Sequence, residues 1–99
     1  PLFQKEIIMR EVIRILIVDY KSATEKKRHT RDLFAFCKVA RIQQPILLPL
    51  KGEDCYEIDI TDRSERTALL WLHILCDLAA LNEHFVVEFQ QRDLYTFCS

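Results

Sequence analysis

At 99 residues, the chain has room for one domain of modest core size, spanning residues 1–99. Its apolar fraction of 49% beside 29% charged residues excludes a disordered chain, and a single glycine leaves little room for a phosphate-cradling loop. The net charge of −1 hides a split: residues 1–50 carry ten Lys and Arg against five Asp and Glu, residues 51–99 only four against ten.

Residues 11–20 read EVIRILIVDY. Ile13, Ile15 and Ile17 fall on one face, and Leu16 and Val18 add apolar character to the other. The pattern predicts a central strand. Ile7, Ile8 and Met9 either extend it or form an edge strand. Ser22 or Thr24 then caps a helix running to about Val39. His29, Leu33, Phe36, Cys37 and Ala40 share one side of it. Lys27, Arg31, Lys38 and Arg41 share the opposite side, with Phe34 inside that basic stripe and Arg28 nearby.

Gln44 before Pro45 ends the helical region, because a residue preceding proline is pushed out of the α basin. Residues 46–50, ILLPL, form a short strand, and Pro49 favours an edge position or a bulge. Lys51, Gly52, Glu53 and Asp54 make a turn, in which Gly52 tolerates positive φ; Asn82 is the second candidate for such a position. Residues 55–61 alternate, with Cys55, Glu57 and Asp59 on one face and Tyr56, Ile58 and Ile60 on the other. The two runs read as a hairpin.

Asp62 or Ser64 caps a second helix over about residues 64–81. Its polar stripe, Arg66, His73 and Asp77, is narrow. One sheet covers one side of a helix, so Trp71, Leu75 and Leu78 are expected to meet a partner surface. Residues 84–90 form a last strand with Phe85, Val87 and Phe89 on one face, and the tail RDLYTFCS is a short helix or strand. The order β-α-β-β-α-β predicts a ferredoxin-like two-layer α/β sandwich. Two parallel strands over residues 46–61 would instead give a small doubly wound, receiver-like sheet.

No apolar run is long enough to span a bilayer, and the opening segment lacks the apolar core of a signal peptide, so a cytoplasmic location is expected. Cys37, Cys55, Cys76 and Cys98 are widely spaced and the three His are scattered. Zinc ligands usually come in close pairs, so neither a metal nor another cofactor is expected, and the thiols are read as reduced. His73 and Asp77 lie one turn apart but lack a nucleophile at a recognisable spacing. Asp54, Glu57, Asp59 and Asp62 are crowded enough for a cation site, although an exposed acidic strand is the more ordinary reading.

Two families share short segments with the chain. Residues 13–19, IRILIVD, resemble the first strand of a two-component receiver domain, with Asp59 at a spacing similar to that of the phosphate acceptor. The resemblance implies magnesium at Asp19 and phosphotransfer at Asp59, but Tyr20 stands where the second carboxylate of that family would help bind the metal. Phosphorylation is therefore not expected. Asp19, the run Lys26, Lys27, Arg28 and the segment Arg41, Ile42, Gln43 resemble Cas2, the small ferredoxin-like dimer of CRISPR adaptation. That resemblance implies association with nucleic acid.

The leading expectation is a non-catalytic protein-interaction or regulatory module, acting as a homodimer or complex subunit. A nucleic-acid-associated protein and a degenerate receiver are the rivals. Lys27, Arg28, Arg31, Phe34, Lys38 and Arg41 are the expected contacts for an anion or partner, and Trp71, Leu75 and Leu78 the expected interface.

Overall fold

A computed structural model describes the backbone over residues 4–50 and 53–98, and the side chains over 9–48 and 55–92. Six elements follow in order: β1 (Gln4–Ile17), α1 (Ala23–Val39), β2 (Ile46–Leu50), β3 (Glu53–Asp59), α2 (Glu65–Leu81) and β4 (Phe85–Cys98). The sheet order is β2-β3-β1-β4, and all three neighbouring pairs are antiparallel. This is the ferredoxin-like sandwich: each helix links two strands that lie in the sheet with a third between them. The antiparallel pairing of β2 with β3, Ile46↔Glu57 through Leu50↔Glu53, rules out the doubly wound alternative. Lys51 and Gly52, the centre of the expected turn, lie outside the described residues.

Both helices begin at a serine. Ser22 Oγ accepts from Glu25 N–H at 3.1 Å, and Ser64 Oγ accepts from Thr67 N–H at 3.1 Å. Each satisfies a donor that the first helical turn leaves free. Helix α1 ends in a Schellman arrangement, with Ile42 N–H donating to Cys37 O (2.9 Å) and Arg41 N–H to Lys38 O (3.2 Å). Arg41 adopts φ 58°, the left-handed conformation that glycine usually supplies there. Asp19 (φ 57°) turns the chain out of β1 in the same way, whereas Asn82 is extended at φ −139°. Pro49 sits in β2, an edge strand, where a missing N–H costs no ladder bond.

The core lies between the sheet and the helices. Ile13, Ile15 and Ile17 of β1 meet Tyr56 and Ile58 of β3, Phe85 of β4, Leu33 and Cys37 of α1, and Leu75 of α2. Burying each large aliphatic here contributes about 1.5–3 kcal/mol. Only one residue of α2, Leu75, is buried. Leu69, Leu70 and Leu81 stay exposed, so the helix leaves much of its apolar surface outside the core.

Strand β1 is longer than its alternation suggests. Residues 12–16 are flanked by β3 and β4, but among the described residues 4–11 pair only with residues 91–98 of β4. The segment over Ile7, Ile8 and Met9 thus extends β1, and the tail continues β4 as strand. Together they form a two-stranded ribbon beyond the four-stranded sheet.

Candidate functional site

The base of that ribbon carries a cleft of about 420 Å³. Ala68, Leu69 and Leu72 of α2 form one wall, and Phe89 and Gln91 of β4 with Glu11 of β1 form the other. Glu11 and Gln91 are cross-strand partners where the ribbon leaves the sheet. Glu11 N–H donates to Thr61 Oγ1 at 3.0 Å, and Ile60 N–H to Glu11 O at 2.9 Å, fixing the chain after β3 against the ribbon's base. Leu69, Phe89 and, further along β1, Met9 are about half exposed. An apolar surface is therefore continuous with a strand pair whose outer edges beyond Glu11 meet no other strand among the described residues.

The expected interface residues need one correction. Leu75 is fully buried against the sheet and offers nothing to a partner. Trp71 and Leu78 flank it one turn away, half-buried against the core, and Arg63 stacks over the Trp71 ring at 5.0 Å. The wheel gives the reason: the helix points residue 75 inward, which turns 69, 70, 73, 76 and 77 outward. Leu69 and Leu70 are the apolar members of that outward set.

The basic stripe is also altered. Lys27, Arg28, Arg31 and Lys38 are exposed on α1. Arg41 lies past the helix end, in the left-handed turn. Phe34 is half-buried, with its ring edge-on to Tyr56 at 5.6 Å, so it is packing material rather than a free platform for a base. Lys27 and Arg31 border a shallow depression with Thr30 and Tyr56.

The acidic crowd on β3 is matched by arginines on the sheet face away from the helices. Glu57 is buried; Arg92 grips both its oxygens (Nη1 to Oε2, 3.2 Å), and Arg14 Nε lies 3.5 Å from Oε1. Arg14 Nε also donates to Cys55 Sγ at 3.2 Å. Removing one partner of so enclosed a group costs far more than a surface pair. Asp59 accepts from Thr61, side chain and backbone, and lies 3.7 Å from Arg10; these hold its carboxyl below the usual range. Neither carboxylate is left for a cation. His73 and Asp77 are both exposed and share no hydrogen bond.

Asp19 and Asp59 stand at opposite ends of the sheet. Asp59 pairs with Val12, seven residues before Asp19, because β3 runs antiparallel to β1. In a parallel sheet the two carboxylates would end neighbouring strands at one edge. This register gives the receiver-type acidic pocket no geometric basis.

A cluster that the spacing of the histidines did not suggest lies at the other end of the fold. Glu25 and His29 sit one turn apart on α1, and His84 immediately precedes β4. Glu25 Oε1 is 3.5 Å from His29 Nε2 and 3.8 Å from His84 Nε2. The two rings stack at 4.3 Å between centroids. The E-x-x-x-H spacing of residues 25–29 was visible in the sequence; its third member arrives only through the pairing of β1 with β4.

In comparisons with known proteins, no family model, no curated protein and no solved structure matches the chain.

Proposed function

We propose that this chain is a non-catalytic interaction module that works as a homodimer, joined through the β1–β4 ribbon and the cleft at its base. The observation that carries this reading is the ribbon itself: eight residue pairs that, among the described residues, no third strand flanks, with only Glu11 at its base bonded sideways to Ile60 and Thr61. A two-stranded ribbon is marginal alone in water, and its free N–H and C=O groups template another strand. A second copy supplies an identical ribbon, and a two-fold axis lets each present the same patch to the other. A net charge of −1 puts little repulsion between the copies. Leu69 and Phe89, each about half exposed, then bury the rest of their area, each contributing about 1 kcal/mol, roughly half the value for a fully exposed side chain.

Light scattering at micromolar concentration tests this. The expected mass is twice the chain's 11.8 kDa, and Leu69→Glu, an exposed substitution that spares the core, should return it to one chain. A wild-type monomer at all concentrations overturns the proposal. Contact with nucleic acid is the second reading, supported by the exposed Lys27, Arg28, Arg31 and Lys38. Binding that falls steeply with salt and is lost when Arg31 and Lys38 are both replaced by Glu would favour it.

A further inference from the structure

Buried polar atoms in folded proteins nearly always have partners. His29 strains that rule: it is 7% exposed, neither ring nitrogen makes a well-formed hydrogen bond, and its nearest polar neighbour is Glu25 Oε1, 3.5 Å from Nε2. Its surroundings explain what it lacks. Lys21 N–H donates to Glu25 Oε2 at 2.9 Å, which holds that carboxylate against the start of α1 and leaves Oε1 turned toward the two rings. His84 is fixed as firmly. Its Nδ1–H donates to Val18 O at 2.9 Å, its backbone N–H donates to Asn82 Oδ1 at 2.9 Å, and its carbonyl accepts from Val18 N–H at 2.8 Å. In the neutral ring the Nδ1 bond to Val18 O selects the tautomer whose lone pair is on Nε2, the nitrogen facing Glu25. A carbonyl accepting from the far nitrogen is the usual support of a metal-bound imidazole.

We infer that Glu25, His29 and His84 form a binding site for a divalent transition-metal ion of the zinc class. One ligand atom from each residue lies within 4.8 Å of the others. Zn–N and Zn–O bonds of roughly 2.0–2.1 Å put tetrahedral ligands about 3.3 Å apart. The two distances from Glu25 Oε1, 3.5 and 3.8 Å, are already close to that, and the ligand nitrogens of the two imidazoles lie within 4.8 Å of each other. Two imidazoles and one carboxylate select zinc, cobalt or nickel over magnesium and calcium, which take oxygen. Three protein ligands leave a fourth position for water, and the partial exposure of the Glu25 and His84 side chains, 18% and 21%, gives solvent access. The ion would tie the first turn of α1 to the start of β4 and give His29 a closer partner than the Glu25 carboxylate at 3.5 Å.

The test is calorimetric titration of the chelator-stripped full chain with zinc chloride, repeated with cobalt(II) to read coordination from its visible spectrum. One ion per chain is expected, with a tetrahedral cobalt spectrum and a raised melting temperature. Glu25→Gln and His84→Ala should each weaken binding at least tenfold, while Cys76→Ser, a change at an exposed thiol on α2, leaves it unchanged. Should His29→Ala fail to fold, the other two variants still decide. No saturable binding, or binding that survives both Glu25→Gln and His84→Ala, overturns the assignment.

Discussion

The cysteines show how burial sets the chemistry of a single side chain. Cys37 is fully buried on the inner face of α1, and desolvation pushes its thiol up to about 11. Cys55 is equally buried, beside Arg14, whereas Cys76 is exposed. The thiolate is the reactive form and needs access. Alkylation of the native protein, resolved by peptide mass spectrometry, should therefore modify Cys76 quickly and spare Cys37 and Cys55 until denaturant is added. The sign of the pH effect follows. The unfolded Cys37 thiol loses its proton near 9.0, the folded one only near 11. The stability from keeping it neutral is full below pH 9 and is lost as pH climbs toward 11. Cys37→Ala should flatten that alkaline decline; an unchanged slope would assign it to another group. His29 carries the opposite lesson. Its place on the apolar face of α1 was legible in the sequence, but the stacking of His84 on its ring was not, because that depends on where the start of β4 is placed by pairing with β1.

Among the elements, the helices were the most legible. Ser22 and Ser64 are local signals, and capping is decided within one turn. The end of α1 is less favourable. A non-glycine residue in the left-handed region costs about 1–2 kcal/mol, and Arg41 bears it to send Ile42 into the core and the chain toward β2. A glycine there removes that cost but gives back about 0.4–1 kcal/mol through the freer unfolded chain. Arg41→Gly should thus stabilise the protein by about 0.5 kcal/mol, read as a higher urea midpoint with an unchanged slope. A lower midpoint would mean the Arg41 side chain holds something in place. The strands were harder to bound. Residues 11–17 announce themselves by alternating isoleucines, while the continuation of β1 to Gln4 and of β4 to Cys98 depends on each being the other's partner. Pairing of that kind is non-local and leaves a weak trace in either segment. The phase of α2 was likewise set by packing: Leu75 inward and Leu69 outward is a choice the sheet makes, since the helix is apolar almost all round.

For the molecule as a whole, the division of charge between the two halves of the chain is resolved partly inside the fold. Strand β1 brings Arg10 and Arg14 from the basic half against Asp59 and Glu57 of the acidic half. What stays outside is the basic face of α1. Among the described residues no helix is long and apolar enough to cross a membrane, so the apolar surface of α2 is not explained as part of a membrane span. The ferredoxin-like order was legible because six elements in this sequence have few ways to pack. The ribbon and the exposed Leu69 and Phe89 beside it became visible only when β1 and β4 were seen to outrun their neighbours. Amide hydrogen exchange along the ribbon, followed across a range of protein concentrations, tests its role most directly. If a second copy completes the ribbon, exchange over residues 4–11 and 91–98 slows as concentration rises, while the core amides of residues 13–17 do not change. Fast exchange in the ribbon at every concentration contradicts the homodimer.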